Sequence, residues 1–270
     1  MDFQKIIDEK DVSENTKRTY KSILARVTRE GFKIPVGKTA MIPKLKEYLF
    51  TYYDKTSAQL AVINIILILR KALKLQVDDL IEFRDRLRGE RVKENVQTMS
   101  EVKVMPVADY KEELQKLFTE KKYKAYIINY LMFHYGVRNQ DVITEIVKTK
   151  KQMGDGNYLW LRRKDILYVR KDYKTHSTYG TQQQSITSKE FRKAVLKTKE
   201  MGFTEKQVGN QLKPLILLKE SDVFKMLIDD AYHRKDIDEI NRLAKSRGTD
   251  VTTIKENYNL NAKDDMFRKI

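Results

Sequence analysis

Residues 57–75, SAQLAVINIILILRKALKL, carry apolar side chains on nearly every side of a helix. Such a helix is stable in water only when other elements cover it from several directions, so this segment demands a domain built around it. The flanking sequence supplies the cover. TKRTYKSILARVTREG, with Ser13 ahead of it as an N-cap, puts Tyr20, Ile23, Leu24 and Val27 on one face and stops at Gly31. KLKEYLFTYY follows Pro43, and Ser57 reads as the N-cap of the apolar segment itself. DDLIEFRDRLRGERVKENVQ starts amphipathic and turns charged, as a helix running into a linker does. These features predict a helical domain over 1–100 and a second domain over 101–270.

The second part begins with helical patterns after Pro106, VADYKEELQKLFTE and then KKYKAYIINYLMFHYG, the latter apolar enough for a core helix. Two short β signals follow, Tyr158–Leu161 and Ile166–Val169, separated by Arg162, Arg163, Lys164 and Asp165 as in a hairpin. A third strand is expected at Gln184–Ile186. EFRKAVLKTKEMG, SDVFKMLIDDAYH, KDIDEINRLAKSRG and TDVTTIKENYNL then read as helices. The expected fold class is mainly α with a small three-stranded antiparallel sheet, an α+β arrangement without internal repeats.

Charge narrows the function. There are 54 Lys and Arg against 38 Asp and Glu, a formal charge of +16, most simply matched by a phosphate-rich partner. The chain has no cysteine, and its three histidines, His134, His176 and His233, are scattered, so neither a metal nor a cofactor is expected. No apolar run reaches membrane-spanning length, and MDFQKIIDEKDVSENTKRTYK is charged where a signal peptide needs an apolar stretch. An intracellular protein acting at DNA, neither secreted nor membrane-bound, is the expectation.

A helical first domain opening with NTKRTY, a core helix ending in Gly-Val-Arg, a basic hairpin, and a final helix pair with Gly-Thr-Asp ahead of a tyrosine resemble the tyrosine recombinase (phage integrase) family. The resemblance spans nearly the whole chain. It implies a helical core-binding, SAM-like DNA-binding domain followed by a recombinase-like domain. In that family a tyrosine attacks a DNA phosphate and forms a 3′-phosphotyrosyl link. Two arginines hold the phosphoryl oxygens, and a hairpin lysine protonates the leaving 5′-oxygen. The chemistry needs these types because the pentacoordinate transition state gains negative charge that guanidinium forks stabilise more than the ground state.

Carried over by residue, the resemblance implies Arg138 in YGVRNQDV as the first arginine, Lys174 in DYKTHSTYG as the lysine, and Tyr258 in TTIKENYNL as the nucleophile. Lys171 is the alternative register for the lysine. Three positions depart from the family. In SDVFKM, Asp222 falls where a histidine is usual and Lys225 where the second arginine is usual, and Thr249 replaces the histidine after Gly248. Lysine keeps the charge but loses the planar fork, and an aspartate near phosphate adds repulsion. The alternative that His233 or Arg242 reaches the site fits the spacing poorly.

DNA contacts do not depend on those groups. Lys17, Arg18 and Lys21 on the first helix, Arg84, Arg86, Arg88 and Arg91 toward the linker, and Arg162, Arg163, Lys164, Arg170 and Lys171 at the hairpin are the candidate phosphate contacts. Tyr173 and Tyr179 are candidates for stacking or sugar contact. Arg162 and Arg163, side by side, are expected to cover for each other. The reading that follows is a duplex-DNA-binding protein with strand exchange lost or weak, a regulator or architectural factor of a virus or mobile element. An active recombinase or integrase is the first alternative and a basic helical interaction protein without nucleic acid the second. NAKDDMFRKI at the C-terminus is a candidate for exchange between protomers in a homo-oligomer.

Overall fold

The computed structural model of the chain describes residues 2–37, 41–100, 102–203, 208–258 and 260, with the side chains of 96–100, 208 and 256 left aside. The chain divides into two compact units, Met1–Asn95 and Val96–Ile270.

The first unit is helical. Asp2 caps α1, Phe3–Asp8, by accepting from the Gln4 and Lys5 N–H groups. Ser13 does the same for Thr16 at the head of α2, Glu14–Arg29, and Gly31 beyond its end takes a positive φ of 77°. Then come α3, Ile42–Tyr52, with Pro43 in its first turn, and α4, Thr56–Ala72. The last helix, α5, spans Asp78–Ser100. α4 is the buried centre, and two clusters on different sides of it explain its apolar girth. Leu60, Ile63, Ile66 and Leu67 pack with Leu45, Leu49, Leu80, Phe83 and Leu87, whereas Ile65 and Leu69 pack with Ile7 and Leu24. Each such side chain contributes about 1.5–3 kcal/mol relative to exposure. The start of α4 differs from the sequence reading. Lys55 stands at the N-cap without a side-chain bond and Ser57 lies inside the helix.

One charge is sealed into this unit. Arg70, 0% exposed, donates from Nε and Nη2 to the Gln76 carbonyl at 3.0 and 2.7 Å, and from Nη1 to the carbonyls of Pro35 and Gly37 at 2.7 and 3.2 Å. The guanidinium thereby fastens the chain on both sides of α4.

The second unit opens with α6, Val107–Thr119, and α7, Tyr123–Tyr135. α7 is buried on most sides, through Ile127, Ile128, Leu131 and Met132 among others. Within it Asn129 is fully buried and fully used. Its Oδ1 accepts from the Tyr110 hydroxyl and the Leu217 N–H, and its Nδ2 donates to the carbonyls of Ala125 and Leu215. Next come β1, Glu145–Val147, β2, Tyr158–Leu161, β3, Ile166–Arg170, the short α8, His176–Tyr179, and β4, Gln182–Ile186. The helices α9, Lys189–Thr198, α10, Val208–Leu212, α11, Glu220–His233, α12, Ile237–Arg247, and α13, Val251–Asn257, complete the unit.

The sheet corrects the expectation of three antiparallel strands. It has four, in the order β1-β2-β3-β4, with β1 parallel to β2 and the other pairs antiparallel. β1 escapes a sequence reading because it is three residues long and only Val147 of it is buried. Among the described residues no helix is long and apolar enough to cross a membrane.

Candidate functional site

α7 ends at Gly136, whose φ of 60° reverses the chain. A Cβ there would lie 2.9 Å from the Phe224 ring, so α11 packs directly on the glycine backbone. Two residues on, half-buried Arg138 donates from Nη1 to the carbonyl of Arg247. Its remaining side-chain donors, Nε and Nη2, have no protein acceptor among the described residues. Burial, followed by the nearby charge of Arg247, lowers the pKa of Arg138.

Arg247 is the last residue of α12 and 2% exposed. Its Nη1 donates to the Gly136 carbonyl at 2.9 Å, and its Nη2 to Glu220 Oε1 at 2.9 Å, with the Tyr258 hydroxyl 3.5 Å from the same nitrogen. The guanidinium carbon lies 4.3 Å from the Phe224 ring centre and 5.3 Å from that of Tyr258, and the two rings meet edge to face at 4.8 Å. The other carboxylate oxygen of Glu220 accepts the Asn139 N–H. Two guanidinium groups, a backbone N–H, a carboxylate and a tyrosine hydroxyl thus share one place.

A fully buried pair supports it. Asp141 Oδ2 accepts from Arg170 Nη1 at 3.0 Å and from the Arg138 N–H at 3.3 Å. Arg170 Nη2 lies 3.4 Å from Ser246 Oγ, and the Tyr168 hydroxyl donates to the Asp141 carbonyl. Burial raises the Asp141 pKa, opposed by the charge of Arg170. Arg170 therefore corrects its assignment as a DNA contact. At 0% exposure it cannot meet a phosphate at the surface. Strand alternation carries the signal, because Ile166, Tyr168 and Arg170 share the core-facing side of β3. Tyr173 is likewise buried, with its hydroxyl donating to the Gly180 carbonyl at 2.6 Å, whereas Tyr179 is 37% exposed.

The loop after β3 is pinned by Asn157. Its Oδ1 accepts the Lys171 and Asp172 N–H groups at 2.9 Å, and its Nδ2 donates to the Asp172 carbonyl at 2.7 Å. Lys171 turns away, donating to the Gly154 carbonyl at 3.0 Å. Lys174 is exposed, and among the described residues it makes no ion pair. Its neighbour Thr175 donates to the carbonyl of Gly248 at 3.0 Å, which brings the lysine loop to the chain between Arg247 and Thr249. Thr249 is half-buried and donates its N–H to the Ala244 carbonyl at 3.0 Å.

Other candidates are elsewhere. Asp222 and Lys225 are half-buried on α11, and among the described residues neither bonds to Arg138, Arg247 or Tyr258. Arg247, not Lys225, is the second guanidinium beside Arg138. Arg242 is paired with Glu239 at 2.6 Å, and exposed His233 contacts the Asp229 carbonyl at 2.8 Å. The sequence signal for Arg247 is its spacing, since Ile240, Leu243, Ala244 and Arg247 form one stripe of α12.

Among the described residues, the buried polar side-chain atoms without a partner concentrate here as well: Asn139 Oδ1, Asp141 Oδ1, Thr144 Oγ1, Arg170 Nε and Arg247 Nε. Native interiors leave few such atoms.

The remaining basic candidates divide by how they are held. Arg163 and Lys164 are exposed at the β2–β3 turn. Arg162 is engaged at two points by Asp165, which also accepts from Ser185, and these bonds, Arg162 first, lower the Asp165 pKa. Arg162 and Arg163 thus differ in how they are held, Arg162 by Asp165 and Arg163 exposed at the turn. On α5, Arg84, Arg88 and Arg91 fall at helical spacing along one side, with Arg84 bonded to Asp85 at 2.7 Å, and Arg86 lies over Phe83 at 5.4 Å. Lys17 pairs with Glu14 at 3.2 Å and Lys21 with Asp8 at 2.6 Å, while Arg18 is exposed. The C-terminal segment NAKDDMFRKI lies outside the described residues.

No family model and no curated protein matches the chain. Among solved structures there is a similar one. It is that of XerA recombinase, at 14% identity over 99% of this chain and 94% of that one, with a TM-score of 0.38.

Proposed function

We propose that this protein binds duplex DNA, with the second unit seating a backbone phosphate at Arg138 and Arg247, and that strand exchange is lost or weak. The observation that carries the reading is the meeting of these guanidinium groups with the Tyr258 hydroxyl, in a chain of charge +16. Arg138 supplies uncommitted donors, exposed Lys174 follows from the adjoining loop, and Arg163, Lys164, Arg88 and Arg91 supply further phosphate contacts. In this reading residues 1–100 are a helical DNA-binding domain and residues 101–270 a recombinase-like domain. The protein acts as a regulator or architectural factor of a virus or mobile element.

Cleavage is held back for as long as Arg247 stays paired with Glu220, since Arg138 alone then receives charge. The second reading, an active recombinase using Tyr258 as nucleophile, is favoured by one observation: Arg247 supplies the fork that Lys225 lacks.

Duplex binding measured against salt tests the first reading. The affinity should fall with a log–log slope equivalent to about five or more phosphate contacts. A salt-insensitive affinity overturns it. Denaturing the complex and looking for a protein–DNA adduct that Tyr258→Phe removes separates the two readings.

A further inference from the structure

We infer that Glu220 is an internal stand-in for phosphate: its carboxylate fills an anion site formed by Arg247 Nη2 and the Asn139 N–H, and a phosphate group enters by displacing it. The inference rests on the proposed phosphate-handling role of Arg138 and Arg247 and specifies what controls access to them.

The carboxylate answers the same demands that a phosphate would. One oxygen accepts from Arg247 Nη2 at 2.9 Å and the other accepts a backbone N–H, which is how an oxyanion is held by an arginine and an amide together. Arg138 adds favourable charge without bonding to it, as the electrostatic influence of Glu220 on Arg138 indicates. Two further facts separate this arrangement from an ordinary buried ion pair. Arg247 retains a buried Nε with no partner among the described residues, so the guanidinium is under-satisfied by the group that now holds it. Arg247 is 2% exposed, whereas the Glu220 side chain is 24% exposed, so the carboxylate is the face that this site turns to solvent. Glu220 is the first residue of α11, and in this inference its side chain swings away from Arg247 while the helix stays in place.

The exchange is close to balanced in charge. A phosphodiester carries one negative charge, as Glu220 does, so it gains entry through the donors Glu220 leaves idle: Arg138 Nε and Nη2, and Arg247 Nε. Glu220 accordingly sets a threshold that a phosphate surrounded by other basic contacts passes and a free phosphate passes poorly.

The test uses the full chain and inorganic phosphate, followed through the Asn139 backbone amide by NMR. In the wild type the Asn139 resonance should move only at high phosphate. Glu220→Gln and Glu220→Ala remove the competing charge and should tighten phosphate binding by about tenfold or more, the scale of one charge-assisted bond. Adding Arg247→Gln to Glu220→Gln should abolish the gain. Equal phosphate affinity in wild type and folded variants overturns the inference. Should both variants unfold, the wild type decides: an Asn139 amide unmoved by saturating phosphate overturns it equally. Duplex binding is measured on the same proteins. Tightened phosphate binding without DNA binding sinks the DNA reading and leaves this site standing. Salt-dependent DNA binding with no effect of Glu220 does the reverse.

Discussion

Arg70 in the first unit and Arg247 in the second are both buried guanidinium groups, held by opposite means. Among the described residues Arg70 donates to the neutral backbone carbonyls of Pro35, Gly37 and Gln76, which belong to the chain itself and cannot leave. Arg247 donates to one carbonyl and to a carboxylate on a partly exposed side chain, and it keeps an unmatched Nε. A buried charge closed by backbone is a fastening, whereas one closed by a side chain at the surface has a partner that can be exchanged. Burial alone does not distinguish the two, but the acceptors do.

The largest expected effect lies in stability. Arg70→Met strands the buried Pro35 carbonyl and removes the bonds to Gly37 and Gln76, and should cost about 3 kcal/mol, from ~1–3 kcal/mol for the buried group and about 1 kcal/mol for each other bond lost. Arg247→Met should cost less, about 1–2 kcal/mol, because Glu220 can turn to water once its partner is gone. Urea unfolding of the two variants reads the difference. If Arg247→Met is as damaging as Arg70→Met, the contrast fails and Arg247 is a fastening too.

The same distinction applies at the hairpin with a smaller effect. Arg163→Ala should reduce the salt slope of duplex binding by about one contact. Arg162→Ala should leave that slope nearly unchanged, since Arg162 is already engaged by Asp165. Equal effects would mean that the Asp165 bond yields to phosphate.

The smallest effect is a pH dependence in the first unit. Burial pushes the Glu30 carboxyl upward, but the Tyr48, Arg26 and Tyr53 donors outweigh it and its net pKa is lowered. The folded state thus binds this proton less readily than the unfolded chain does. The stabilisation is present above the ordinary carboxylate range and is lost as pH falls through the depressed value. Glu30→Gln should flatten that acid limb of the stability curve. An unchanged limb would show that the three donors contribute little net preference for the charged form.

Much of the architecture is legible in the sequence because it depends on local periodicity. Ser13 ahead of α2, the apolar girth of α4 and the glycine after α7 each report their own turn of chain. Arg138 is visible through the Gly-Val-Arg that follows a core helix. Arg247 is not visible in this way, because its meaning arises from Arg138 109 positions away and Glu220 27 positions away. Its placement on the apolar stripe of α12 was available but reads equally as an arginine at a helix end. Arg170 was misjudged for a related reason. A run of basic residues near a hairpin suggests a surface, yet alternation along β3 decides which side each one faces. β1 has neither the length nor the burial to announce itself.

The missing side chain at Gly248 also has a genetic consequence. A Cβ there would fall on the Thr175 hydroxyl, and the backbone holds φ at 63°, where other residues are strained. Most substitutions at position 248 should thus press the lysine loop away from the end of α12, β-branched residues most and Asn or Asp least. In a saturation-mutagenesis library this position should be among the least tolerant of the loop.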